Sequence, residues 1–242
     1  MALILGARLA SWLHVDRLWG GLDVPSLAAL IGALAAVGLV YSIAVTGRQA
    51  PTIALLLAGA AVSSFMSAAV ALLMFLNEDH LTQIIVRLQG SLQGRGATEL
   101  WSASPIVALG VVGLWFCSRG LDALTFGEES AAALGLSRGR VRTAVVVTSS
   151  LATAACVAAS GIIGFVGLMA PHAARLWIGP RHAFVIPASC LLGAMLVLLA
   201  DDLARTVIER GEVPVGVVTS LLGGPFFLYL LKTRQGQLEA GL

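Results

Sequence analysis

Six stretches of this chain run for eighteen residues or more without a charged side chain: residues 24–47, 49–77, 100–118, 143–174, 183–200 and 213–231. A helix needs about 20 mostly apolar residues to cross the hydrocarbon of a bilayer. No water is available there, so the backbone must satisfy its own hydrogen bonds, and helices do this within one segment. The runs therefore predict an all-α, polytopic membrane protein. The fourth run is 32 residues long. It holds Gly161, Gly164, Gly167 and Pro171, which predict a break into one full helix and a shorter second one. With an apolar stub at residues 2–14, the pattern gives about eight membrane helices in a single domain spanning residues 1–242.

Composition supports this reading. Only 12% of the 242 residues are charged and 58% are hydrophobic, whereas a soluble domain carries about 25% charged residues. A net charge of +2 gives no basis for nucleic-acid binding. Cys117, Cys156 and Cys190 lie far apart in apolar runs, a spacing that suits small buried hydrophobes rather than a metal or disulfide site. The 27 glycines fit close helix packing in lipid, and Gly161, Gly164, Gly167, Gly223 and Gly224 are the positions assigned to it.

The loops orient the chain. Arg48, Arg119, Arg138, Arg140, Arg142, Arg175, Arg181, Lys232 and Arg234 fall on one side if the runs alternate. Arg8, Arg17, Arg87, Arg95, Arg205 and Arg210 fall on the other, with most of the acidic residues. Short loops rich in Lys and Arg stay cytoplasmic, so the first side is predicted to face the cytoplasm. Residues 77–99 place Leu81, Ile84, Ile85 and Leu88 at helical spacing, the mark of a short helix lying at the interface.

Catalysis finds no support. The chain has no G-x-x-x-x-G-K-[ST] loop for nucleotide phosphates, no H-E-x-x-H and no G-x-S-x-G. The helix centres lack the ionisable groups that intramembrane chemistry uses. No metal ligand set is predicted, and no cofactor in this chain.

Residues 119–142 form the longest polar connection. Glu129-Ser130-Ala131-Ala132-Ala133-Leu134-Gly135 reads E-x-A-x-x-x-G. Small alanines let a short helix enter a partner's cleft, and a glycine can end it. This motif resembles the cytoplasmic coupling loop of ABC importer permeases. Further on come G-F-x-G-L-x-x-P-H-x-x-R at residues 164–175 and R-H-x-x-x-x-P at 181–187. A-D-x-x-A-R follows at 200–205, then E-x-P-x-G-x-x-T with G-x-P-F-F at 212–227. Together these resemble the FecCD-type permease family, which imports iron–siderophore complexes, haem and vitamin B12. The resemblance runs from about residue 24 to residue 234 and is dense after residue 121. Residues 1–23 match nothing in it, so the chain corresponds to the C-terminal part of a ten-helix permease.

The resemblance implies a set of roles. Glu128, Glu129, Ala132, Leu134, Gly135 and Arg138 would couple to the ATPase. Arg205 and Glu212 would dock an extracytoplasmic substrate-binding protein; an i,i+4 pair between Asp201 and Arg205 is the alternative for Arg205. His172 and Arg175, one turn apart, would brace a cytoplasmic gate. They equally suit a helix end, with Arg175 reaching the interface and His172 bonded to a backbone carbonyl. The implied protein is one of two paired permease subunits, identical or not, in a bacterial cytoplasmic membrane. It would work with two ATPase subunits that use ATP. A secondary transporter and a non-transporting remnant are the other readings.

Overall fold

The computed structural model describes residues 24–45, 52–76, 85, 88–133, 135–206 and 213–239. Eight helices run through them: α1 (Val24–Ala44), α2 (Thr52–Phe75), α3 (Ala97–Thr125), α4 (Glu128–Ala133), α5 (Arg138–Ser160), α6 (Val166–Ile178), α7 (His182–Thr206) and α8 (Val215–Glu239). No strand occurs among the described residues, and the all-α reading holds. Five helices, α1, α2, α3, α5 and α7, are long and apolar enough to cross a membrane, and α8 holds a shorter apolar stretch, Val215–Leu230. The stub at 2–14 and most of the 77–99 segment lie outside the described residues.

Burial is inverted relative to a water-soluble fold. The buried apolar side chains are alanines, with Val185 and Val215 as the exceptions, while Leu, Ile, Phe or Trp stand exposed along α1, α2, α3, α6, α7 and α8, and Val147 along α5. No more than 17% of any of the five spanning windows is buried within the chain. Helices in lipid gain nothing from hiding large apolar groups, so small residues face one another and allow close approach. Two buried hydroxyls return their hydrogen bonds to their own helix. Ser102 Oγ donates to the Glu99 carbonyl (2.9 Å), and Thr219 Oγ1 to that of Gly216 (3.1 Å). Among the described residues, no buried side-chain polar atom lacks a partner. This is the usual resolution for Ser and Thr inside helices.

Two compact units are drawn from the chain, one from Met1–Ile85 with Gly94–Ala159 and one from Val86–Gln93 with Ser160–Leu242. In the first, α1 and α2 form a hairpin. The next helix, α3, is longer than the charge-free run 100–118 suggests, because polar residues extend both ends. Glu99 lies in its first turn, and its carboxylate accepts the Gly96 N–H at 2.8 Å. A carboxylate at a helix N-terminus also favours the dipole. Along α5, glycines of α3 make the seam. A Cβ on Gly110 would come within 2.7 Å of Ala152 Cβ and 2.8 Å of the Thr148 carbonyl oxygen. Gly113 faces Thr148 and Gly120 faces Val141. As α3 numbers rise, α5 numbers fall, so the two helices run antiparallel. Tyr41 of α1 hydrogen-bonds Thr143 Oγ1 of α5 at 2.5 Å. Farther along, a cleft of about 200 Å³ opens between Ala33 and Val37 on one side and Ser149, Ser150 and Thr153 on the other.

The larger segment of the second unit starts at Ser160, where α5 stops. Residues 161–165 leave the helix and α6 restarts at Val166. Gly161, at φ +78°, and Gly164 interrupt the run as predicted. Gly167 and Pro171 do not, since both lie inside α6. There Pro171 removes one ladder bond without ending the helix. α6 packs on α7, where Gly193 lets Val166 and Ala170 approach. Ala200, Ala204 and Val215 form a core joined by Ile163, Val197 and Val218.

Candidate functional site

The polar connection predicted to couple contains α4, six residues long. Ala131 is 1% exposed, while Ala132, Ala133 and Gly135 are open to the surroundings. The helix ends by a specific hydrogen-bond pair. Leu136 N–H donates to the Ala131 carbonyl at 3.0 Å, and Gly135 N–H donates to that of Ala132 at 2.9 Å. These are the two bonds of a Schellman motif, with Gly135 at its left-handed position. Its φ is +72°, and a Cβ there would meet nothing within 4 Å. Glycine is therefore needed here for its backbone angle and not for space. Glu128 and Glu129 open α4, and their side chains lie outside the description, as does Leu134. Arg138 begins α5, exposed and with a partner.

His172 and Arg175 lie one turn apart in α6 but take different surroundings. The half-buried His172 ring meets Phe226 of α8 edge-on, with ring centres 6.0 Å apart. Arg175 is exposed, and its carbonyl accepts the Gly179 N–H at 3.1 Å where the helix ends. An edge-on aromatic contact packs α6 against α8; it supplies no ligand set. At the far end of α7, Arg205 Nε donates to Asp201 Oδ2 at 2.8 Å. The i,i+4 pair weighed in the sequence is thus formed. With Arg205 half exposed, such a pair is worth about 0.3–0.5 kcal/mol, little resistance to a competing carboxylate. Glu212 lies outside the described residues.

Sequence reasoning missed a junction in the second unit made by backbone atoms. Ser91 N–H donates to the Ser160 carbonyl (2.9 Å), and Gly216 N–H donates to that of Gly90 (3.4 Å). A Cβ on Gly216 would overlap the Gln89 carbonyl oxygen and reach within 2.7 Å of that of Ile162, and one on Gly90 would overlap the latter. Three separate segments therefore meet main chain to main chain where α5 gives way. Beside them Phe165, at φ +63° and ψ −26°, is the single non-glycine with positive φ among the described residues. Its side chain fills the notch left by Gly223. Backbone strain of this kind gathers at functional sites. Gly223 does serve close packing, as predicted, whereas Gly167 and Gly224 face open space. The sequence signal for Gly216 was present in the E-x-P-x-G-x-x-T stretch; Gly90 stood in a polar segment with nothing to mark it.

A family model for the FecCD transport family matches residues 3–233. The chain belongs to the FecCD transport family. The match takes in residues 3–23, which the motif reading left outside the resemblance. The chain is 39% identical over 208 residues to the cobalamin import system permease protein BtuC of Halobacterium salinarum, covering 86% of this chain and 56% of that protein. It is 38% identical over 213 residues to the hemin transport system permease protein HmuU of Yersinia pestis, covering 87% and 63%. The chain thus spans less than two thirds of the length of these curated relatives. Among solved structures, a metal-chelate type ABC transporter in an inward-facing conformation matches with a TM-score of 0.81 and 29% identity, over 96% of this chain and 73% of that one. The fold of the FecCD family is therefore present through the described helices.

Proposed function

We propose that this chain is a membrane-spanning permease subunit of an ABC importer that moves an iron–siderophore complex, haem or cobalamin into the bacterial cytoplasm. The observation that carries the proposal is α4, a short helix with a Schellman end held between α3 and α5, in a chain of the FecCD family. Two ATPase subunits bind ATP and close; α4, engaged through Glu128, Glu129, Ala132, Leu134, Gly135 and Arg138, passes that motion to α3 and α5. A ligand can only shift a two-state equilibrium by its difference in affinity for the two states. ATP therefore acts by changing which surface α4 meets, with no chemistry in this chain.

The path is completed by a paired permease subunit, identical or related. A substrate-binding protein docks at the opposite end, where a carboxylate of the partner exchanges for Asp201 on Arg205 and Glu212 adds a second contact. His172 and Arg175 brace the cytoplasmic gate from α6. An ion-coupled secondary transporter draws less support, since Asp201 is already bonded at the end of α7.

Uptake of labelled chelate in cells with and without the ATPase tests this. Transport should cease without the ATPase. Gly135→Pro should abolish uptake while membrane insertion stays normal, because proline cannot adopt positive φ. Uptake that ignores the ATPase, or normal uptake in the Gly135 variant, would remove the proposal.

A further inference from the structure

One face of α3 is exposed from end to end. Trp101, Leu109, Val112, Trp115 and Phe116 all lie on it, and Arg119 continues the same stripe. From Trp101 to Arg119 the helix rises about 27 Å, close to the ~30 Å thickness of a hydrocarbon core. Aromatic rings mark both ends, as they do at membrane interfaces. Arg119 therefore lies at the level of lipid headgroups, one turn beyond Trp115 and Phe116.

The seam with α5 decides what stands beside it. Gly120 faces Val141, and the helices run antiparallel. In an antiparallel pair of right-handed helices, the residue preceding each contact turns to the same side of the seam. Arg119 precedes Gly120 and Arg140 precedes Val141, so both residues lie on one side of the seam. Val112 precedes Gly113 and Val147 precedes Thr148, so the same rule puts both deeper on that side, and both are exposed. Arg119 and Arg140 are themselves exposed. The first turn of α5 carries no acidic residue. Asp122, the nearest acid along α3, is half-buried and has a partner of its own.

We infer that Arg119 and Arg140 bind the phosphate of an anionic phospholipid of the phosphatidylglycerol or cardiolipin type, with acyl chains lying over Val112, Phe116 and Val147. Guanidinium groups match phosphate oxygens in paired hydrogen bonds. Two fixed cations favour a headgroup that keeps net negative charge over a zwitterionic one. The apolar face just beneath them takes the chains, which an acidic protein surface would leave exposed. This inference uses only the membrane-spanning reading of α3 and α5 and does not depend on transport or on the ATPase.

The test uses the full chain purified in detergent and measured by native mass spectrometry after adding phosphatidylglycerol or phosphatidylcholine. The unaltered chain should retain phosphatidylglycerol in preference, and Arg119→Gln with Arg140→Gln should lower that retention about fivefold or more, given the attraction of each basic side chain to an anionic surface. Arg119→Lys with Arg140→Lys should keep part of it, and Arg95→Gln all of it. If the double Gln variant does not elute as a folded species, each single Gln variant gives the same reading at smaller size. Equal retention of the two lipids, or unchanged retention in the Gln variants, overturns the inference. So does loss of ATPase co-purification with lipid retention intact, which would assign the two arginines to a protein partner.

Discussion

At the scale of single residues, the chain depends on positions where a side chain is missing or forced. Phe165 holds a left-handed backbone that costs an L-residue about 1–2 kcal/mol, and its ring occupies the notch at Gly223. Phe165→Gly should then unfold at a higher temperature than Phe165→Ala, since both lose the ring and only glycine relieves the backbone. Thermal unfolding in detergent micelles reads this, and equal midpoints would mean no strain is stored there. Gly223→Ala should be less stable than the unaltered chain by about 1–3 kcal/mol, the usual cost of overpacking. The sequence made Gly135 and Gly161 legible, because each follows a helical run that must end. Gly90 and Gly216 were not legible in role. Their lack of a Cβ matters because segments distant in the chain bring carbonyls to them, Ile162 to both and Gln89 to Gly216.

At the scale of elements, the charge-free runs announce helices but not their lengths. The run 100–118 becomes α3, Ala97–Thr125. Polar residues that a hydropathy reading discards lengthen it: the Glu99 carboxylate caps the start, and Arg119 and Asp122 lie in its last two turns. Packing between elements is set by small residues at specific depths. Gly110→Ala should weaken the α3–α5 seam, where Ala152 Cβ and the Thr148 carbonyl stand within 2.8 Å of the new methyl. Gly59→Ala in α2 meets nothing within 4 Å and should leave stability unchanged or slightly raised. Melting curves of the two variants, side by side, separate seam packing from a general effect of glycine loss. The helix α4 is of another kind. Isolated helices below about 12–15 residues are marginal in water, so its six residues are held by their ends and by whatever surface receives them.

At the scale of the whole molecule, large apolar groups outside and alanine inside suit the chain to lipid. Topology is the property to check here. With Cys117, Cys156 and Cys190 replaced by alanine, a cysteine at Ala133 should react with an impermeant maleimide only from the cytoplasmic side, and one at Gly94 only from outside. Both positions are exposed. Labelling from the reverse sides would invert the orientation read from the basic loops. Class and family were legible because they follow from many residues at once, the charge-free runs and several spaced motifs. The junction was not, because it is made by atoms that every residue shares. That last property bears on how such a chain can change over time. Ile162 contributes its carbonyl oxygen and its side chain stands exposed, so that side chain is free to vary. Point mutations at such positions leave the frame's shape intact, and variation should halt abruptly at Gly90 and Gly216.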